Sequence, residues 1–241
     1  MEIEILELSE GARKARGLTV IIDVFRAFST SCYLFDAGVC KIIAVDEIGL
    51  ARKLKKENRD YVLIGERGGE KLSGFDYGNS PSRVKGEELS NKTVVLTTSA
   101  GTRGLVNAFQ SGQSGQIITG SFVNDGAIVK YINKQAPDCL SLIAMGIGGK
   151  KRAAEDLFCA RYLKNKLLQQ KQDISFTSMK EKLKQGSGQR FFDNNYPGSH
   201  PEDFELCLLK DKFNFIIKAV DYCPQKKTVV LKKTQAEKEE K

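Results

Sequence analysis

The chain carries one histidine, His200, and no tryptophan in 241 residues. A lone imidazole with no thiol near it excludes the usual zinc ligand sets. A Ser-His-Asp triad has no support either, because no G-x-S-x-G turn occurs. His200, followed by Pro201, reads as a surface or capping residue. The six cysteines form no C-x-x-C pair, and they read as reduced side chains acting as small hydrophobes. No apolar run approaches the ~18 residues of a membrane span, so no membrane partner is expected. Met1 to Ile5 alternates and is acidic, unlike the basic, then apolar, start of a secretory signal, which leads us to expect a cytoplasmic protein. G-x-x-x-x-G-K-[ST] and G-x-G-x-x-G are both missing. Gly146-Ile147-Gly148-Gly149-Lys150-Lys151 is a strand-to-helix turn.

The net charge of +8 is unevenly spread. Residues 1–160 hold 21 Lys and Arg against 19 Asp and Glu, and residues 161–241 hold 17 against 11. A basic stripe interleaved with aromatics, which single-stranded nucleic acid requires, is absent, so no nucleic-acid partner is expected. The end of the chain after Val230 mixes Lys and Glu and reads as a solvated, frayed tail.

What is present is an alternation of short β-rich runs and helical patterns. Strands are expected at Ile3–Leu8 (edge or antiparallel), Leu18–Ile22, Ile42–Val45, Tyr61–Ile64, Val94–Thr98, Ile117–Thr119 and Cys139–Met145. Helices are expected at Ser29–Ala37, Glu47–Asn58, Thr102–Ser111, Phe122–Gln135 and Ala153–Gln170. Gly38 closes the first helix near a C′ position, and Glu155-Asp156 suits the start of the last. This order predicts an α/β fold, a layered α/β/α sandwich around a mostly parallel or mixed sheet. Residues 1–170 form its main body. Residues 171–241 form a C-terminal section packing on that body, with helices at Ile174–Lys184, Gly188–Asn194 and Glu202–Leu209 and strands at Phe213–Val220 and Lys227–Lys232, placed at one sheet edge. Residues 65–91 are mostly loop, and a connection that long tends to be functional.

Three strands end in turns suited to anions, the place where open α/β sheets bind ligands. After Val20-Ile21-Ile22 comes Asp23-Val24-Phe25-Arg26-Ala27-Phe28-Ser29-Thr30. Asp23 can hold Mg²⁺, attack phosphorus, cap the next helix or pair with Arg26. Phosphatases with an aspartyl nucleophile commonly carry a second aspartate two residues on; Phe25 stands there. Arg26 offers a planar fork for phosphate, sulfonate or carboxylate. Ser29 and Thr30 add donors at a helix N-terminus. The macrodipole disfavours an arginine there, and an external anion would resolve that tension.

The second turn, Gly65-Glu66-Arg67-Gly68-Gly69, leads to Gly74-Phe75-Asp76-Tyr77-Gly78-Asn79-Ser80-Pro81. Here Glu66 and Asp76 are candidate carboxylate ligands, while Arg67, Asn79 and Ser80 are candidate substrate contacts. Ser80 also fits an N-cap with Pro81 at N1. The third turn, Thr97-Thr98-Ser99-Ala100-Gly101-Thr102, is a hydroxyl-rich loop opening a helix, with Thr98, Gly101 and Thr102 as candidate anion contacts. Asp23, Glu66 and Asp76 are thus the candidate Mg²⁺ ligands, and Asp23, Arg26 and Asp76 the candidate catalytic groups, for a small anionic phosphorylated substrate.

These segments, with Gly120-Ser121-Phe122-Val123-Asn124 and Glu155 to Ala160, are collinear over residues 1–170 with the 2-phosphosulfolactate phosphatase (ComB) family, which the chain resembles. The resemblance implies Mg²⁺-dependent hydrolysis of 2-phosphosulfolactate to sulfolactate and phosphate, a step of coenzyme M synthesis. The family pattern has Arg-Ala-Thr-Ser-Thr where this chain places Phe28 as the third residue, and Thr-Thr-Asn-Gly-Thr where it places Ala100. Both changes lie in the site loops. They leave open a phosphatase for another phosphorylated hydroxy acid, or an anion-binding relative without turnover. Assembly into a homo-oligomer stays open from the sequence.

Overall fold

The computed structural model describes residues 1–236. Its strands are β1 (Glu2–Glu7), β2 (Gly17–Ile22), β3 (Lys41–Val45), β4 (Val62–Arg67), β5 (Glu70–Lys71), β6 (Thr93–Thr97), β7 (Ser114–Gly120), β8 (Cys139–Ala144), β9 (Phe215–Cys223) and β10 (Thr228–Gln235). The helices are α1 (Leu8–Arg13), α2 (Ala27–Asp36), α3 (Ile48–Glu57), α4 (Pro81–Val84), α5 (Gly101–Gln110), α6 (Asp125–Gln135), α7 (Ala154–Leu167), α8 (Phe176–Gln185) and α9 (Pro201–Cys207). The ten strands form one mixed sheet in the order β1-β8-β2-β7-β9-β10-β3-β6-β4-β5. This is the expected α/β class.

Alternating strand residues feed opposite layers, because successive side chains point to opposite faces. Ile21, Ile42, Leu96, Ile143 and Ile217 enter one core with Phe28 and Leu34 of α2 and Leu105 of α5. Val20, Ile22, Leu140 and Leu142 enter a second with Ile128, Leu163, Leu183 and Phe204 from α6 to α9. Val45, Leu63 and Val95 face Ala51 of α3 in a third. Covered on both faces, β2 has no polar alternation, and even its Thr19 is fully buried. All six cysteines are unpaired thiols, and Cys32, Cys159 and Cys207 are buried. Among the described residues no helix is long and apolar enough to cross a membrane.

Three findings correct the sequence reading. The strands expected at a sheet edge, β9 and β10, lie at its centre, between β7 and β3. Their pairing is antiparallel to both neighbours, so the hairpin joins two parallel blocks, β1-β8-β2-β7 and β3-β6-β4. Lys232 to Gln235, read as frayed, are paired strand residues; the end of that expected tail, residues 237–241, lies outside the described residues. The helix expected at Gly188–Asn194 is a 3₁₀ turn, Gln189–Phe192. Short amphipathic stretches after Gly carry too little periodic signal to separate these states.

Candidate active site

Three antiparallel steps in a row set the two blocks in opposite senses. In a flat sheet their carboxyl ends would lie at opposite edges. Twist accumulates at about 20–25° per pairing, and five pairings separate β2 from β6. That rotation lets the turns after β2, β4, β6 and β8 converge. Gly101 records how closely. A Cβ there would stand 2.9 Å from Asp23 Oδ2 and 3.0 Å from the Ala27 Cβ, so only glycine lets the β6 turn meet the β2 turn.

The convergence encloses a cavity of about 490 Å³. One wall carries four carboxylates, Asp23, Glu66, Glu155 and Asp156, none more than 7% exposed. Asp23 Oδ1 accepts the Ala27 N–H at 3.2 Å, so the capping role proposed from sequence is present. Glu66 holds two turns together: Oε1 accepts the Ser99 N–H at 2.7 Å and Oε2 the Gly69 N–H at 2.8 Å. Asp156 Oδ1 accepts the Val24 N–H at 2.8 Å and Oδ2 the Gly146 N–H at 2.7 Å, tying the β2 exit to the β8 exit. Glu155 accepts the Ser187 hydroxyl.

Burial with like charges nearby disfavours ionisation. Burial pushes Asp23 up to about 7, and Glu66 and Glu155 add to the rise against the hydrogen bonds from Ala27 and Gly101. Burial raises Asp156 well above the usual carboxylate range, reinforced by Asp23 and Glu155. Glu155 is raised for the same first reason, with Ser187 and Arg190 opposing.

A second part of the wall comes from the C-terminal section: Gly186, Ser187, Gln189, Arg190, Asp193 and Tyr196. Arg190 donates from Nη2 to the Phe25 carbonyl at 3.0 Å, and its guanidinium lies over the Phe191 ring. Arg26 also lines the cavity, but its fork is engaged. Nη1 meets Asp203 at 2.6 Å and the Gly198 carbonyl at 2.7 Å, and Nη2 meets the Gly69 carbonyl at 2.9 Å. The anion that offsets Arg26 at the start of α2 is therefore the chain's own Asp203, fully buried, rather than an external group. Asp203 also accepts the Ser80 hydroxyl at 2.8 Å and the Ser82 N–H at 2.9 Å. This hub closes the turn containing Gly69 against Gly198, where a Cβ would stand 2.3 Å from the Gly69 carbonyl oxygen.

The remaining sequence candidates divide. Asp23, Arg26, Glu66 and Asn79 reach the cavity, and the Asn79 Oδ1 is buried without a partner among the described residues. Gly101 supports Asp23 from below. Thr98 and Thr102 brace their loop reciprocally: the Thr98 N–H donates to the Thr102 hydroxyl and the Thr102 N–H to the Thr98 hydroxyl, each at 3.3 Å. Ser29 donates to the Val24 carbonyl at 2.8 Å, while the buried Thr30 hydroxyl has no partner among the described residues; neither lines the cavity. Ser80 sits at the N-cap of α4, yet its hydroxyl goes to Asp203. Arg67 is held outside by the Glu66 and Asp46 carbonyls, each at 2.7 Å.

Asp76 is not brought to Asp23 and Glu66. It accepts the Leu63 N–H at 2.7 Å and pairs with Lys55 on an exposed flank. The cavity carboxylates that sequence reasoning passed over as site residues are Asp193 and the pair Glu155 and Asp156, read there as helix-start residues. Two adjacent acids just after a glycine-rich strand exit were the available signal. Arg190 and Asp203 had none, since neither belongs to a strand-end turn.

The acidic wall supplies hard oxygen donors with like charges crowded together, which suits a divalent cation. Among the described residues no three His, Cys, Asp or Glu side chains already stand as a metal-binding group.

A profile of the 2-phosphosulpholactate phosphatase family matches residues 4–221. The chain is 30% identical to a probable 2-phosphosulfolactate phosphatase of Bacillus subtilis over 204 residues, 83% of this chain and 86% of that one. It is 31% identical to a protein of the same description from Thermoplasma acidophilum, over 85% and 86% of the two chains. A third, from Caldicellulosiruptor saccharolyticus, is 38% identical over 159 residues, 64% of each chain. The match spans both cavity walls, C-terminal section included, and the chain belongs to the 2-phosphosulpholactate phosphatase family.

Proposed function

We propose that this protein is a Mg²⁺-dependent phosphatase that hydrolyses 2-phosphosulfolactate to sulfolactate and phosphate, chemistry of the coenzyme M type. The observation that carries the reading is one cavity lined by four buried carboxylates together with Arg190. A substrate carrying phosphate, sulfonate and carboxylate needs both.

Asp23 and Glu66 would hold the cation, with Glu155 and Asp156 beside them. Bound Mg²⁺ would offset charge on the phosphoryl group and favour ionisation of water near neutral pH. A cation beside Asp23 would favour its ionised form and offset the rise that burial imposes on it in the metal-free protein. The Gly69 and Gly146 N–H groups are given to Glu66 and Asp156, which leaves the N–H groups of Gly68 and Gly148, in turns that border the cavity, to receive anionic oxygens. Arg26, held by Asp203, keeps the Glu66 turn closed over the cation site. Asp156 keeps the β2 and β8 exits in register. Ala100 lines the cavity as a bare methyl, whereas Phe28 lies in the core beneath the β6 turn. Of the two departures from the family pattern, only Ala100 alters the cavity wall.

Purified protein with Mg²⁺ should release phosphate from 2-phosphosulfolactate, and chelation with EDTA should stop it. No release from that ester or from a panel of phosphorylated hydroxy acids, with Mg²⁺ present, would overturn the reading.

A further inference from the structure

We propose that Arg190 selects for a second anionic group on the substrate, so that the cavity favours phosphate esters of sulfonated or carboxylated acids over simple phosphate monoesters. This rests on the phosphatase reading above and assigns it a specificity residue.

Two cationic side chains line the cavity, Arg26 and Arg190. They differ in commitment. Arg26 is ion-paired to Asp203 and bonded to two carbonyls. Arg190 makes no ion pair among the described residues. It is nonetheless fixed: one N–H donates to the Phe25 carbonyl, and its guanidinium carbon sits 5.2 Å from the Phe191 ring centroid. Its Nε is closed off from solvent without an acceptor among the described residues. An oriented guanidinium with spare N–H groups is suited to a planar carboxylate or a sulfonate face.

Ser187 and Gln189 beside it are neutral, and the acidic groups of its surroundings are Glu155, which accepts the Ser187 hydroxyl, and Asp193 three residues on. The phosphoryl group belongs at the cation that Asp23 and Glu66 would hold. An anion at Arg190 would therefore be a different group of the same molecule, and a cavity of about 490 Å³ has room for both. The competing role for Arg190 is to offset the Glu155 charge at longer range, an influence that is present. The two roles separate by experiment.

The test compares wild type, Arg190→Gln and Arg190→Lys, all with Mg²⁺, on 2-phosphosulfolactate and on phenyl phosphate, which has no second anion. We expect Arg190→Gln to raise KM for 2-phosphosulfolactate about 10- to 100-fold, the range of one charged hydrogen-bonding contact, with kcat within about threefold. Turnover of phenyl phosphate should move less than about threefold, and Arg190→Lys should recover part of the KM. In parallel, calorimetry with sulfolactate, which lacks the phosphate, should show binding to wild type that weakens at least about tenfold in Arg190→Gln. Equal losses on both esters, or unchanged sulfolactate binding, would overturn the proposal and leave Arg190 as a counter-charge for Glu155. Wild type that prefers phenyl phosphate would overturn the proposal and leave the phosphatase reading standing. Failure to hydrolyse either ester would defeat the phosphatase reading, while the sulfolactate comparison would still decide what Arg190 binds. Where phenyl phosphate turnover is too slow to measure, that comparison decides alone. Melting curves of the two variants, matched to wild type, establish that folding is intact.

Discussion

The two walls of the cavity are built from different material. The N-terminal wall takes Asp23 and Glu66 from strand ends and Glu155 and Asp156 from the first turn of α7, and backbone N–H groups fix Asp23, Glu66 and Asp156. The C-terminal wall takes its groups from a 3₁₀ turn and loops, held by side-chain contacts such as Arg190 on Phe25 and Arg26 on Asp203. The first wall stores unfavourable charge repulsion in a rigid frame, the arrangement a cation would relieve. The second is the adaptable side, where recognition of the acid can change while the chemistry stays. This contrast also explains why β9 and β10 are central. Sitting between the two parallel blocks, the C-terminal hairpin sets the geometry of the wall that the N-terminal residues supply.

The contrast breaks most visibly at Asp23. Asp23→Asn should lower turnover about 10²- to 10³-fold, the scale of losing one electrostatic contact that organises the reacting centre; phosphate release with wild-type-like kcat would remove Asp23 from the chemistry. Asp203→Ala comes next. It leaves the guanidinium of Arg26 buried without its counter-charge and should cost about 3–5 kcal/mol of stability, the usual range for breaking a buried pair, read as a lower denaturation midpoint. A loss near zero would show that the two walls are not joined through this pair.

The pH dependence of stability sharpens the comparison. Asp23 titrates near 7 in the folded protein against an ordinary 3.8 unfolded. Between those values the folded state holds the extra proton. This contribution to stability is therefore full below about pH 4, declines as pH rises, and is gone above about pH 7. Glu155 and Asp156 are shifted in the same direction and steepen the decline. Metal-free protein should melt lower at pH 8 than at pH 5.5, and Asp23→Asn should flatten that dependence while raising the pH 8 melting point. Unchanged slopes in the variant would argue against charge crowding at Asp23. The smallest effect is expected at Asp76. Asp76→Asn should cost about 1 kcal/mol through its bond to Leu63, with kcat within about threefold; a large loss of turnover would bring Asp76 back to the site.

Much of the N-terminal wall was legible from the residues. Asp23 and Glu66 stand at strand ends, visible where an apolar run stops at Gly, Asp or Thr, and Asn79 stands in a Gly- and Ser-rich loop just before α4. The loop-bracing role of Thr98 and Thr102 is local too, four residues apart on one turn. Legibility fails where partners are far apart in the chain. Arg26 and Asp203 are 177 residues apart, and nothing near Arg26 announces that its anion is internal. Asp76 misled because its turn is rich in Gly, Asn and Ser, as binding loops are, while its carboxylate caps a neighbouring strand. Glu155 and Asp156 were visible but ambiguous, since acidic residues at a helix start are favoured whether or not they face a ligand.

By itself, then, the sequence determined the α/β class, most of the elements and the turns that carry the acidic groups. Hydrophobic periodicity and turn chemistry are local, and they act within a few residues. The tertiary structure alone decided that β9 and β10 lie at the sheet centre, that opposed strand ends meet, and which of two arginines is left without an ion-pair partner. Those outcomes depend on accumulated strand twist and on which buried charge finds which partner across the fold, and neither is written in any single stretch of the chain.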